Sequence, residues 1–147
     1  MPRIFTASLL AIFAIGCGPQ IPYGAIPLPP RLVFGPAWRT PAGAVAIAIE
    51  VADPNDFPSD VLIVAVSGSC SAPLTLAAGG DGTIGLTALE RGTAHVVLWD
   101  AAHDLPGACN LSDSAPITLR ATPRSLMTGT PVTQTFTIAQ LPVKTGP

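Results

Sequence analysis

Apolar and polar positions alternate with a period of two through much of the chain beyond residue 40. Val45, Ile47, Ile49 and Val51 are separated by Ala46, Ala48 and Glu50. Side chains two apart lie on the same face of a strand, so this segment predicts a strand with one large apolar face and one small or polar face. Thr93 to Trp99 alternates in the same way, with His95, Val97 and Trp99 on one face. Ile117, Leu119 and Ala121 alternate with Thr118, Arg120 and Thr122, and Val132, Gln134, Phe136 and Ile138 with Thr133, Thr135 and Thr137. Val61 to Val66 is an unbroken apolar run rich in β-branched residues, which predicts a central strand buried on both faces. Leu74 to Leu76 and Ile84 to Leu86 predict short strands. Asp53-Pro54-Asn55-Asp56-Phe57-Pro58-Ser59-Asp60 and Gly79-Gly80-Asp81-Gly82 supply turn formers between them. About seven short strands, with neither an amphipathic helix nor a fixed-period repeat, predict an all-β chain folded as a single antiparallel β-sandwich.

The N-terminus breaks this pattern. Behind Arg3 runs a largely apolar stretch from Ile4 to Gly16, and Pro19 and Pro22 follow. Its length suits the core of an export signal and falls short of the roughly 18–20 residues that a membrane span needs. Residues 1–16 are therefore expected to be a signal peptide. The run ends in Ala14-Ile15-Gly16-Cys17, which resembles the lipobox of bacterial lipoproteins, with Ala14 where that family usually carries leucine. Ala14 and Gly16 also satisfy the small-x-small rule of ordinary signal cleavage, so both peptidases would cut the same bond and expose Cys17. The lipobox implies a diacylglycerol on the Cys17 thiol, with the membrane as partner through N-terminal acyl chains. Gly18, in place of aspartate, implies sorting to the outer membrane or cell surface, on its periplasmic or extracellular face. The alternative is an exported protein without lipid.

Composition sharpens this division. The 147 residues include 17 prolines and 14 glycines, and five of the prolines lie between Gly18 and Pro30. That stretch is expected to be extended and partly polyproline II, a tether over 17–30 spanning roughly 40 Å. The sandwich then occupies 31–142, with a tail over 143–147. An apolar content of 48% speaks against disorder. A net charge of -2 argues against nucleic acid as a partner, because phosphate binders carry basic patches. Of the three cysteines, setting Cys17 aside leaves Cys70 and Cys109. A pair in an exported domain predicts a disulfide, and neither cysteine has a CxxC neighbour or a histidine at ligand spacing.

Val51-Ala52-Asp53-Pro54-Asn55-Asp56 leads into the apolar strand. The later segment from Gly92 through Trp99-Asp100 to Asp104-Leu105-Pro106-Gly107 is followed by Ile117-Thr118-Leu119-Arg120-Ala121-Thr122-Pro123. From about Arg31 to Leu141 the chain resembles the fibronectin type III-like or immunoglobulin-like modules of bacterial surface and secreted proteins. Such modules usually recur as spacers or adhesive units, and here there is one copy. The resemblance implies that the loops carrying Cys70 and Cys109 lie at the same pole, although those modules do not generally carry this pair.

Candidate chemistry is sparse. Asp53, Asn55, Asp56 and Asp60 crowd one turn at a spacing that can ligate calcium, with turn formation as the plainer role. The glycine and bidentate glutamate of an EF-hand loop are replaced by Pro58 and Val64. His95 and His103, with Asp100 and Asp104, are the acid–base candidates around a histidine. His95 is expected to be packed and His103 solvated. Ser67-Gly68-Ser69-Cys70-Ser71 lacks the Gly-x-Ser-x-Gly elbow of a nucleophile. Trp38, between Pro36 and Pro41, is expected to pack rather than to stand exposed. The expectation is a non-enzymatic, membrane-anchored envelope protein, without a cofactor, acting through contact with another envelope protein. A calcium- or small-ligand-binding module and a small hydrolase or accessory enzyme are the alternatives.

Overall fold

The computed structural model describes residues 21–106, 109 and 111–145. Residues 1–16, expected to be a signal peptide, and Cys17 lie outside the described residues. Seven strands follow in chain order: β1 (Arg31–Arg39), β2 (Val45–Ala52), β3 (Asp60–Ser67), β4 (Cys70–Pro73), β5 (Thr93–Trp99), β6 (Pro116–Arg124) and β7 (Val132–Thr137). One helical turn, α1 (Ala101–Asp104), lies between β5 and β6, and a 3-10 turn over Ile138–Gln140 follows β7. The strands form two antiparallel sheets, ordered β1-β2-β5 and β4-β3-β6-β7, packed as a β-sandwich.

The alternation along each strand selects the core. Val45, Ile47, Ile49 and Val51 of β2 face Ile63, Ile117, Leu119 and Ala121 of the other sheet, with Val97 and Trp99 of β5 alongside, all buried. Full burial of an aliphatic side chain of this size contributes about 1.5–3 kcal/mol, and this layer holds the sheets together.

One strand, β1, was not expected, and two expectations are corrected. β1 carries no clean alternation because Gly35-Pro36 interrupts it. The register shifts between Phe34 and Ala37, so a bulge absorbs the pair and pairing with β2 resumes. Leu76 and Leu86 make only single bridges, to Trp99 and Ser59, and the short edge strand is β4. β3 is central in its sheet, between β4 and β6, but it is buried on one face only. Leu62 is 44% exposed because nothing covers the outer side.

The outer face of the smaller sheet is covered differently. Small residues on β2 leave a trough there, and Trp38 lies opposite Ala46, 5% exposed, with Lys144 Nζ 5.5 Å from its ring centre. Trp38 is thus packed as expected, but outside the core between the sheets.

Unpaired sheet edges invite association and are shielded here. The backbone of Ala77 donates to Leu98 O and that of Asp81 to Val96 O, laying the 76–81 segment along β5. Arg39 donates to Pro142 O and accepts from Lys144 N, so bonding extends beyond residue 142 into the expected tail. β4 is short and ends in Pro73.

The loops gather at two ends. The proline pole carries residues 21–30 and the β2–β3 and β6–β7 connections. The disulfide pole carries the β1–β2 and β3–β4 turns and the crossover from β5 to β6. At the proline pole the tether is not fully extended. Ala25 N donates to Pro22 O at 2.9 Å, closing a turn with Gly24 at φ +85°.

Gly80 shows how closely the covering segment lies on β5. A Cβ there would sit 2.9 Å from both Leu98 N and Val96 O. Gly80→Ala is expected to lift the segment from the edge and destabilise the protein by about 1–3 kcal/mol, read as a lower urea midpoint with little change in slope.

Candidate functional site

The densest polar cluster among the described residues lies at the disulfide pole. Asp100 caps α1, accepting from the His103 backbone at 3.2 Å. The single helical turn returns the chain so that Asp104 meets the strand it has just left. Asp104 Oδ2 accepts from Trp99 Nε1 at 2.7 Å and from Thr75 N at 2.8 Å. Asp104 Oδ1 accepts from Thr75 Oγ1 at 2.6 Å and lies 3.0 Å from His103 Nδ1. The Asp100 backbone in turn donates to Thr75 O at 2.8 Å.

Electrostatics follow from this geometry. Burial opposes a charge on Asp104. The bonds from Thr75 Oγ1, Thr75 N, His103 and the indole outweigh it and lower the carboxyl pKa to about 2. The hydrogen bond to Asp104 is the main cause that raises the His103 pKa above its ordinary value, against a smaller opposing effect of desolvation. His103 itself is well exposed, with 69% of its side chain open to solvent.

The same pole carries the Cys70–Cys109 disulfide, with Cα atoms 5.5 Å apart. It ties the start of β4 to the β5–β6 crossover and closes a long loop, for which chain entropy gives about 4 kcal/mol. A recess of about 210 Å³ beside it is lined by Ala65, Pro73, His103, Asp104, Cys109 and Leu111.

Histidine, acid and hydroxyl meet here, but not as a catalytic relay. A relay places the acid on one imidazole nitrogen and the nucleophile on the other. Here Thr75 Oγ1, at 3.3 Å, and Asp104 Oδ1 both approach His103 Nδ1. The threonine hydroxyl donates its hydrogen bond to Asp104, which orders the loop.

His95 shares the face of Val97 and Trp99, as its position in the alternation implies, and its side chain is 10% exposed. Its Nε2 lies 2.8 Å from Thr87 O, so that nitrogen carries the proton, while Nδ1 is 3.7 Å from Asp81 Oδ2. Ser67 and Cys70 pair across a two-residue turn with Gly68 at φ +58°, so Ser67 to Ser71 is a hairpin.

The acidic turn residues are engaged at separate places. Asp53, fully buried, accepts from Asn55 N at 2.7 Å and from Asn55 Nδ2 at 2.9 Å, and the Asn55 amide also donates to Leu28 O. Asp56, at φ +56°, accepts from Glu90 N, and Asp60 accepts from Gly85 N, each at 2.8 Å. Among the described residues no three His, Cys, Asp or Glu side chains converge as a metal ion would need.

Sequence reasoning missed the joining role of Asp104. The one available signal was its position five residues after Trp99, beyond a capping aspartate. Thr75, the other half of the contact, lies 29 residues away, in a segment expected only to be a short strand.

An open apolar groove of about 700 Å³ lies at the proline pole, between Leu28, Pro29 and Pro30 on one side and Val33, Pro54 and Val132 on the other. No family model, no curated protein and no solved structure matches the chain.

Asp104→Asn is expected to cost about 2 kcal/mol and lower Tm by about 4–8 °C at neutral pH. The folded-state pKa is depressed, so the stability it supplies is present above the unfolded value near 3.8 and lost as pH falls through about 2. The Tm gap between native protein and variant should therefore be widest between about pH 5 and 6.5, narrow between about pH 4 and 2, and narrow also as pH rises through the raised His103 value, where the contribution of the His103–Asp104 contact is lost.

Proposed function

We propose that the chain is an exported, lipid-anchored lipoprotein of the bacterial outer membrane or cell surface, and that its β-sandwich is a non-enzymatic structural or protein-interaction module. The observation that carries this reading is Ala14-Ile15-Gly16-Cys17 at the end of a short apolar run, followed by a proline-rich segment that leads directly into β1. The Cys70–Cys109 bond supports it, since disulfides persist in oxidising compartments outside the cytoplasm. The meeting of those two loops at one pole also supports a fibronectin type III-like or immunoglobulin-like module. So does the arrangement of three strands facing four.

The polar residues point the same way. Asp53, Asp56, Asp60 and Asp104 hold backbone amides, and the two histidines sit beside those loops. Carboxylates used in this way shape surfaces. The partner is another envelope protein, met by the loops of a rigid sandwich held near the membrane, and no cofactor is required.

Cells fed radiolabelled palmitate test the anchor. The native chain should carry the label and pellet with membranes, and Cys17→Ser should lose the label and appear in the soluble fraction. An unlabelled native chain, or a Cys17→Ser chain that remains in the pellet, would overturn the reading.

A further inference from the structure

Exposed apolar side chains are not spread evenly over this molecule. Tyr23, Ile26, Leu28, Ile84, Leu126 and Met127 are all at least 40% exposed, and all lie at the proline pole. Tyr23, Ile26 and Leu28 belong to the tether. Leu126 and Met127 tip the β6–β7 connection. Ile84 sits beside the start of β3, where Val61 N donates to Thr83 O and Gly85 N to Asp60. Val33 and Leu62 extend the apolar surface a short way down the outer faces of the two sheets. Leu76 and Val143 are the large exposed apolar residues at the other end.

The tether is fastened to this pole. Asn55 Nδ2 holds Leu28 O at 2.9 Å, Pro30 is buried, and the Gly129 backbone packs so closely on Pro30 O that a Cβ would collide with it. Eleven peptide units separate Cys17 from the fastened point at Leu28, at most about 35 Å of chain, and the turn at Pro22–Ala25 shortens that.

We infer that the proline pole rests in the headgroup region of the bilayer, with the apolar tips of its loops inserted, so that the tether docks the domain on the membrane instead of holding it away. This rests on the lipoprotein reading, because the anchor at Cys17 is what brings this pole to a lipid surface. The shape of the apolar surface favours lipid. The side chains stand as separate tips on the tether and two loops, and a fluid interface admits separate tips more readily than a flat protein face does. Aliphatic side chains and tyrosine are the residues that insert at such a boundary. Arg31, Arg91 and Arg124 are exposed around them and can reach headgroup phosphates with their stems along the apolar tips. Four carboxylates at this pole, Asp56, Asp60, Glu50 and Glu90, are exposed as well, and two of them, Asp56 and Asp60, also accept from backbone amides.

The test uses the proposed mature chain, beginning at Cys17. With Cys70 and Cys109 bonded to each other, the Cys17 thiol is the reactive one, and it is coupled to a maleimide lipid. The vesicles contain phosphatidylethanolamine and phosphatidylglycerol with brominated acyl chains. Tryptophan is placed at the proline pole in Met127→Trp and, separately, in Ile84→Trp, and at the far pole in Leu76→Trp. The emission of the unsubstituted chain is subtracted. Both proline-pole variants should be quenched by the brominated lipid and shielded from aqueous iodide several-fold better than Leu76→Trp. Equal responses from the two poles would overturn the inference. Coupling through the thiol makes this result independent of acylation in cells, so a failed palmitate label would count against the lipoprotein reading alone.

Discussion

An indole buried between two sheets brings one N–H donor that no strand ladder can satisfy. Trp99 is fully buried, and its Nε1 finds Asp104, carried back on the single turn of α1. A buried donor left unmade costs about 1–3 kcal/mol, so the position of this carboxylate is demanded by the core. Once there, Asp104 also takes both donors of Thr75, which draws the chain after β4 against the end of β5. The next residues then lie along that strand and cover its edge. One contact thus links the packing between the sheets to a loop, and through the loop to the protection of an edge. The disulfide sits on the same crossover and acts in the same direction, by limiting how far the unfolded chain can separate these segments.

The strands that were legible in the sequence are those whose two faces meet different surroundings. β2, β5, β6 and β7 each have one face on the core and one outside it, and alternation records that directly. β1 escaped because Gly35-Pro36 interrupts its alternation at a bulge, where a Cβ at Gly35 would sit 3.0 Å from the Ala48 Cβ. β4 escaped because four residues, one of them a proline, cannot be told from a turn. Val61 to Val66 read as doubly buried because composition reports greasiness but not which face a neighbour covers. The Cys70–Cys109 pairing was legible by parity. The Asp104 cluster was not, since its members come from three segments that only the folded topology brings together.

The two poles solve opposite problems. At the disulfide pole, Asp104 turns inward to its donors while His103 stays exposed beside it, and the covalent bond lies close by. At the proline pole, acidic turn residues tie the β2–β3 connection to its neighbours, while the apolar side chains point outward. The smaller sheet repeats the contrast across its thickness. Its inner face carries large apolar side chains, and on its outer face the alanines of β2 lie beside a tryptophan and a lysine.

The bonding of Arg39 to Pro142 and Lys144 bears on how the molecule would carry a load. β1 begins at the proline pole and ends at the opposite one, where the C-terminal segment joins it side by side in the same direction. Tension between the tether and that segment would run along β1. The bonds from β1 to β2 lie across the strand direction, so they would be strained together in shear and not opened one at a time. Bonds that share a force resist it better than bonds that meet it in turn. The parallel pairing at Arg39 therefore hands such a load to two backbone bonds, which would also be strained in shear.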